Sequence, residues 1–238
     1  MFRNILAISW KETKVYFSTP AAYIIATVFL ALTGYFFVRS ISVALPEASL
    51  RQWAIASTAV FTLWAPVLTM RLLAEEQKLG TLELLMTSPV RDTEIVLGKY
   101  LATLVVLVST LMITLFYLIL LSWFGDPDFG PMFVGYLGLL LFGAATLSIG
   151  LFASSLSPNQ IVSAVIGFGA LLMLTLIGEA APLTEGITAQ VLSQISITNH
   201  FQDFARGIID THSVVYFVVL TVLMLFLTSR NLESRRWR

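Results

Sequence analysis

The chain lacks cysteine altogether, and only 12% of its 238 residues are charged. The absence of cysteine excludes disulfides, cysteine metal ligands and thiol nucleophiles. Soluble domains carry about 25% charged residues, so half that fraction argues against a water-exposed globular protein. Fourteen basic side chains balance fourteen acidic ones. Because there is no basic excess, the composition gives no indication of a nucleic-acid partner.

What the chain has instead is hydrophobic length, with 57% hydrophobic residues and a mean hydropathy of +0.86. A transmembrane helix needs roughly 20 apolar residues, with about 17 as the lower limit. The longest charge-free run divides at the turn-forming cluster 154–160, where Pro158 resists helix continuation. The sequence therefore predicts an all-α membrane protein with six transmembrane helices, in the runs 21–38, 53–70, 100–125, 129–178 (two helices) and 213–229.

The distribution of Lys and Arg predicts the orientation of these spans. With the amino terminus inside, eleven Lys and Arg residues fall in the cytoplasmic segments 1–19, 71–99, 154–160 and 230–238. Only Arg39, Arg51 and Arg206 fall in the outer segments. We therefore expect a single transmembrane domain over residues 1–238 with both termini in the cytoplasm.

Residues for catalysis are missing from the predicted spans, which contain no His, Lys, Asp or Glu. His200 and His212 lie outside the spans and lack metal-ligand spacing to another His or Cys. No phosphate-binding glycine loop is present. We therefore expect no catalytic, cofactor-binding or metal-binding residues, and a membrane-embedded hydrolase is disfavoured.

The amino-terminal residues 2–17 predict a helix lying on the inner membrane surface. Phe2, Leu6, Trp10 and Phe17 form one apolar stripe at helical spacing, whereas Asn4, Lys11 and Lys14 lie on the opposite side. This pattern is typical of an interfacial amphipathic helix whose cations meet anionic lipid or a partner. An ordinary topology anchor fits the same pattern.

The segment 71–99 concentrates nine charged side chains between two hydrophobic spans. Residues 72–79 can continue the second span outward until Gly80 ends the helix. Thr81 can then cap a short helix over 82–87, with Glu83 near its positive end, before Pro89 terminates it. This helix is apolar for a cytoplasmic loop, so it needs a groove on a partner, on the membrane or on its own chain.

The outer segment 179–212 is too long for a bare connector. Asn199 and Gln202 match the spacing of a capping box, and Phe201, Phe204 and Ile208 share one helical face. The pattern predicts short helices that dip into the outer leaflet or cap a cavity.

Small residues and one proline in the predicted spans indicate where helices approach each other. Gly143 and Gly150 share one face of the fourth span, and Ser163 with Gly167 forms a small-xxx-small pair in the fifth. Close packing within the chain is the simplest expectation, and a dimer seam is the alternative. Pro66 predicts a kink in the second span.

The loop 75–89 resembles the coupling segment of type-2 ABC transporter (ABC-2) permeases. In that family a charged pair, here Glu75-Glu76, leads into a Gly-Thr-x-Glu-x-Leu sequence, here 80–85, and then into Ser/Thr-Pro. The six spans, the amino-terminal helix, Lys99 after Gly98 and the outer helical segment are also family features. The stretch 200–210, with His200, Phe201, Phe204 and Gly207, is most similar to the gliding-motility-associated permease subgroup.

The resemblance implies a non-catalytic permease of the bacterial inner membrane, working as a homodimer or heterodimer with two ABC ATPase subunits that bind ATP and Mg. The short helix would enter a cleft on the ATPase and drive export. The implied coupling residues are Glu75, Glu76, Gly80, Thr81, Leu82, Glu83, Leu84, Leu85, Met86 and Pro89. The alternative is a force-transmitting subunit that relays ATPase motion to a periplasmic or accessory partner without moving a solute.

Overall fold

The computed structural model describes residues 2–41, 49–82, 90–125, 128–183 and 185–236. Throughout these residues the regular structure is helical. The helices are α1 (Phe2–Ser18), α2 (Pro20–Ile41), α3 (Arg51–Thr69), α4 (Arg71–Leu79), α5 (Asp92–Phe124), α6 (Phe129–Leu156), α7 (Gln160–Ala180), α8 (Ile187–Ile195), α9 (Ile197–Ala205) and α10 (Thr211–Arg236), with a 3-10 turn at Ala181–Leu183.

Six helical segments of the described chain are long and apolar enough to cross a membrane, which confirms the predicted spans. They are Pro20–Ile41, Arg51–Leu79, Asp92–Trp123, Phe129–Leu156, Gln160–Leu183 and Thr211–Ser234. Asn159 accepts a hydrogen bond from the Ile161 amide at 2.9 Å and so caps α7 directly after the predicted division.

The third span begins earlier than expected, at Asp92 rather than residue 100. Lys99 therefore lies inside α5, and Asp92 and Glu94 precede it in the same helix. A count of charge-free residues stops at the first charge, although a helix continues through a charged residue whose charge is compensated.

Helices α3 and α6 form the centre of the bundle. In their most apolar windows 67% and 61% of residues are buried, against 22% in α2, α7 and α10. A Cβ on Gly143 would lie 2.8 Å from a methyl carbon of Leu107, and one on Gly150 would overlap the Thr69 hydroxyl. These two glycines thus allow helices of the same chain to pack closely. In membranes, helix association depends on such close van der Waals contact.

The proline of the second span lies at another close approach. Pro66 is inside α3, and a Cβ on Gly167 of α7 would lie 3.3 Å from the Pro66 side chain and 3.3 Å from Ala153 of α6. The Ser163–Gly167 pair therefore faces the bundle interior. Both pairs of small residues are used within the described chain, as the simpler expectation had it.

The outer segment forms α8 and α9, which fold back over one end of the bundle. Phe201 and Phe204 are buried, and Phe201 contacts Phe142 of α6 edge-on with ring centroids 5.7 Å apart. Phe204 likewise lies 6.1 Å from the ring of Phe217 in α10. The prediction of short helices in this segment is therefore confirmed, and α9 packs its phenylalanines into the core of the bundle.

Two details of the outer segment differ from the sequence interpretation. The N-cap of α9 is Ser196, whose hydroxyl accepts from the Asn199 amide at 3.3 Å, so the Asn199–Gln202 capping box is wrong. The helix starts one turn earlier than predicted because this serine already satisfies a free amide there. Ile208 is exposed rather than aligned with the phenylalanines, since α9 ends at Ala205 and Gly207 follows with φ 82°.

Candidate functional site

Helix α4 extends the second span and ends at the predicted glycine. Met70 separates α3 from α4 with dihedrals that remain helical, φ −53° and ψ −33°. Gly80 has φ 68°, a left-handed conformation that glycine adopts at little cost, and its amide donates to the Gln77 carbonyl at 3.3 Å. The segment is thus a short helix with a defined end at Gly80.

The predicted coupling residues fall into four groups. Glu75, Gly80 and Thr81 are exposed, whereas Leu82 is buried in the hydrophobic core. Glu76 is partly buried and turned inward. The remaining ones, Glu83, Leu84, Leu85, Met86 and Pro89, lie outside the described residues.

Lys99 is the centre of a buried ionic cluster that joins three helices. Its ammonium Nζ donates to Glu12 Oε1 of α1 at 3.0 Å and to Glu76 Oε1 of α4 at 2.8 Å. The Lys99 side chain is 1% exposed, and those of Glu12 and Glu76 are 14% and 19% exposed. A buried ammonium is tolerated only when opposite charges compensate its lost hydration. We call Glu12, Glu76 and Lys99 the Lys99 junction.

Helix α1 packs along the first turns of α5 through a face that the sequence analysis missed. A Cβ on Gly98 would lie 2.7 Å from Ile8 Cγ2, so only glycine permits this crossing. The Asn4 amide donates to Glu94 Oε2 at 3.2 Å. Ile5 and Tyr16 are buried on the same face. Asn4 therefore contacts α5, although the amphipathic pattern placed it with the exposed lysines.

The other two faces of α1 fit the interfacial prediction. Phe2, Leu6, Trp10 and Phe17 are all exposed and form an apolar stripe that the bundle leaves uncovered. Lys11 and Lys14 are exposed, and the Lys14 ammonium lies 5.1 Å from the centroid of the Trp10 ring. This arrangement offers an apolar surface to lipid tails and cations to headgroups.

Tyr16 joins α1 to the junction between α3 and α4. Its hydroxyl donates to the Leu68 carbonyl at 2.8 Å, and the Arg71 guanidinium carbon lies 4.6 Å from the centroid of its ring. Burial raises the pKa of the Tyr16 phenol well above its ordinary value, and the nearby Arg71 only partly opposes this. The phenol therefore remains a protonated donor.

Ser154 holds the opposite side of the α3–α4 junction. Its hydroxyl accepts from the amides of Leu73 and Ala74, both at 3.1 Å, and donates to the Met70 carbonyl at 2.9 Å. An amide and a carbonyl at a helix junction need such partners because burial keeps water away.

The next residue, Ser155, ties α4 and α10 to the end of α6. Its carbonyl accepts from the Gln77 side-chain amide at 3.1 Å and from that of Asn231 at 2.8 Å. Helix α4 is therefore fixed on two sides, by the Lys99 junction and by the end of α6. The polar residues that do this come from five different helices.

At the other end of the bundle, His200 fastens α9 between α8 and α10. Its Nε2 lies 3.1 Å from the Gln194 carbonyl, its Nδ1 lies 3.3 Å from the Ser213 hydroxyl, and its ring stacks on Tyr216 at 4.0 Å. Burial lowers the pKa of His200 below the ordinary 6.5, so the imidazole is neutral at pH 7. With a carbonyl beside Nε2, that nitrogen carries the proton and Nδ1 accepts from Ser213.

The other predicted outer residues also have structural roles. Phe201 and Phe204 fill the core, and a Cβ on Gly207 would lie 2.7 Å from Pro131. Among the described residues there is no group of three or more His, Cys, Asp or Glu that could hold a metal ion.

An apolar groove of about 250 Å³ opens between α5 and α6. Its lining includes Met112 and Leu115 of α5 and Phe133 and Leu140 of α6. These residues all lie in segments that can span a membrane.

Comparisons with known proteins bear on the whole arrangement. The model of the ABC-2 family transporter protein matches residues 6–233. The chain is similar to the probable multidrug ABC transporter permease YbhR of Escherichia coli K12 and of Escherichia coli O157:H7. Each is 28% identical over 152 residues, which cover 63% of this chain and 40% of the relative.

The match thus spans well under half the length of these relatives. It does not bear on the gliding-motility-associated subgroup, which stays a prediction from residues 200–210. The family model, in contrast, covers the amino-terminal helix, the charged segment after the second span and all six spans. On this evidence the chain is a multi-pass membrane protein that belongs to the ABC-2 family of transporter proteins.

Proposed function

We propose that this chain is the permease subunit of an ABC exporter and receives motion from a separate ATPase through α4 and the residues that follow it. Permeases of this family are generally non-catalytic, and membership of the family implies a partner ABC ATPase. The Lys99 junction is the observation that carries the proposal. A helix that merely connected two spans would not need a buried ionic attachment to two other helices.

The exposed side of α4 supplies a contact surface for such a partner. Glu75 and Lys78 are exposed, and Leu79 is 66% exposed at the tip of the helix. Charged residues around a small apolar anchor favour a contact of defined register that can also dissociate. Glu76 is paired with Lys99, so in this proposal it orients α4 while Glu75 meets the basic rim of the ATPase.

The proposed assembly contains two permease chains, identical or different, and two ATPase subunits that bind ATP and Mg. The excess of Lys and Arg at the α4 end of the bundle supports an orientation in which that end, and both termini, face the cytoplasm. The compartment is then the inner membrane of a bacterium. The uncovered stripe of α1 lies on the lipid of the same membrane face.

Native mass spectrometry of the tagged chain, purified from its host membrane, tests the assembly. We expect two copies of the chain with two ATPase subunits. Glu75→Lys combined with Leu79→Asp should release the ATPase, because the pair removes both the charge and the apolar anchor of the exposed side. The matched control is Leu183→Asp, since Leu183 is 85% exposed at the opposite end of the same bundle.

If the α4 variant keeps its ATPase while the Leu183 variant loses it, α4 is not the docking element. A chain that emerges alone, even after cross-linking in the membrane, would remove the ATPase partner on which the proposal depends.

A second candidate function is force transmission without solute movement, and α8 favours it. No residue of α8 is buried, and Ile187 and Val191 are 79% and 50% exposed at the outer end of the bundle. Such a surface suits a periplasmic or accessory subunit. An additional chain in the native mass spectrum, together with ATP turnover but no release of apolar cargo from vesicles, would favour this function over export.

A further inference from the structure

We propose that Lys99 is a positioning residue that makes α1 and α4 move as one unit. This inference rests on the proposed function for its consequence, since α4 is the element that would contact the ATPase. Its structural part stands on the Lys99 junction alone. Lys99 belongs to α5, so this attachment of α1 to α4 runs through a third helix and acts beside the direct contact of Tyr16 with Arg71 at the start of α4.

The distances define the linkage. Both carboxylates contact the same nitrogen, Glu12 Oε1 at 3.0 Å and Glu76 Oε1 at 2.8 Å. The ammonium is thus shared between a residue 87 positions before it in the chain and one 23 positions before it. Three donor hydrogens on a lysine allow both bonds at once. A displacement of α4 that preserves its bond must carry Lys99 with it, and α1 follows through Glu12.

Other contacts explain why Lys99 can act as a fixed point. Gly98 brings the backbone of α5 against Ile8, and Asn4 binds Glu94 one turn earlier. These contacts fix the position of α1 along the axis of α5. The part contributed by Lys99 is the link from this pair of helices to α4.

Charge makes the role of Lys99 different from that of its two partners. Without the ammonium, two partly buried carboxylates face each other across the gap between α1 and α4 and repel. Without Glu12, the Lys99–Glu76 pair remains and still holds α4. Without Glu76, the Lys99–Glu12 pair remains and still holds α1. If the three residues served packing alone, their substitutions would not differ in which helix each one releases.

The absence of native cysteine allows the proposal to be tested by pairs of spin labels in the full chain. Ala7 on α1, Lys78 on α4 and Ser234 on α10 are exposed and suit replacement by cysteine. Distance distributions from pulsed electron paramagnetic resonance are measured in nanodiscs on the chain alone. The 7–234 pair, whose labels lie outside the surface proposed to contact the ATPase, is measured also on the complex with the ATPase in nucleotide-free and ATP-trapped states.

We expect one narrow 7–78 distance in the chain alone and a 7–234 distance that changes when ATP is trapped in the complex. Lys99→Met should add a longer component to the 7–78 distribution. Glu12→Gln should broaden the two distances that involve residue 7 and leave the 78–234 distance narrow, whereas Glu76→Gln should broaden the two that involve residue 78 and leave the 7–234 distance narrow. Lys99→Arg should restore the narrow 7–78 distance, because it keeps the charge and offers two or more donors.

The matched control is Arg230→Met, which removes a cation from an exposed ion pair with Glu233 at 2.6 Å and should leave the 7–78 distance unchanged. An unchanged 7–78 distance in Lys99→Met would overturn the proposal, as would identical patterns for the two glutamine variants. These outcomes are read on the chain alone. Failure of the proposed function appears separately, as an unlabelled wild-type chain that binds no ATPase or as a 7–234 distance that does not change when ATP is trapped.

Discussion

The phenol of Tyr16 donates to the carbonyl of Leu68 at 2.8 Å, so the amino-terminal helix contacts the second span where α3 gives way to α4. When a buried carbonyl loses its hydrogen-bond donor, water cannot replace that donor. The free-energy cost of removing the carbonyl from water is then no longer offset. The hydroxyl therefore matters more to stability than one hydrogen bond at the surface would.

Tyr16→Phe should lower the free energy of unfolding by about 1–2 kcal/mol, because the Leu68 carbonyl is left without this donor. Thermal unfolding in detergent measures the effect. Tyr23→Phe is the matched control: its hydroxyl donates to the Phe17 carbonyl at 2.8 Å, but in an exposed position where water can replace it. Equal losses in the two variants would contradict the prediction.

Ser154→Ala should destabilise the chain by roughly 1–3 kcal/mol, since one hydroxyl serves two amides and a carbonyl. Hydrogen exchange at the amides of Leu73 and Ala74 should accelerate in the variant. Ser122→Ala provides the control, because the Ser122 hydroxyl is exposed and bonds only within its own helix, to the Ile119 carbonyl. Unchanged exchange at Leu73 and Ala74 would show that Ser154 does not hold the α3–α4 junction.

Gly98→Ala should separate α1 from α5, because the new methyl group would lie 2.7 Å from Ile8 Cγ2 and 3.1 Å from the Ile5 carbonyl. Overpacking of this kind costs about 1–3 kcal/mol. Gly169→Ala should be neutral or stabilising, because a Cβ there meets no atom within 4 Å and alanine favours the helix. Protease sensitivity of α1, measured beside thermal unfolding, should increase only for Gly98→Ala.

The stability of the α9 end should decrease as the pH falls below about 6.5. Burial lowers the pKa of His200 in the folded chain. Between that lowered pKa and the ordinary value of 6.5, the unfolded state binds more protons, so acid favours unfolding. The contribution of His200 is fully present above pH 6.5 and is lost as the pH falls through the folded pKa.

The groups facing His200 are Ser213, Tyr216 and the carbonyl of Gln194, with His212, Asp203 and Asp210 near enough to act on its charge. Thermal midpoints of the wild type and of His200→Gln between pH 8 and pH 5 test the prediction. The wild type should lose stability more steeply in acid than the variant. His212→Gln removes only a lesser influence on the pKa of His200, so it should retain most of the wild-type loss of stability in acid. Parallel curves for all three would exclude His200 as the cause.

Charge-free runs predicted all six spans because burial in lipid excludes uncompensated charge over a whole helix length. The same criterion could not find Lys99. Its compensation comes from Glu12 and Glu76, and nothing in a local window shows that these distant residues meet at one nitrogen. The spacing of Ile5, Ser9, Glu12 and Tyr16 was the available signal, a second helical face on α1 beside the apolar stripe.

Predictions of helix ends from single residues were correct where one residue alone determines the end. Gly80 ends α4 through its own backbone preference, and Asn159 starts α7 through its own side chain. They failed where two residues compete, as when Ser196 rather than Asn199 caps α9. Leu82 shows a different limit: its hydrophobicity fits a partner's cleft and the chain's own core equally well, and it is buried in the core.

The crossing of Ile8 over Gly98 fixes the register of the amino-terminal helix as well as its position. One residue inserted between Ile8 and Glu12 would turn everything beyond it by about 100° relative to the crossing. The carboxylate of Glu12 would then leave Lys99, and the hydroxyl of Tyr16 would leave Leu68 with it. Substitutions on the outer surface of this helix are consequently better tolerated than insertions or deletions within it, because a change of length breaks every contact beyond the crossing at once.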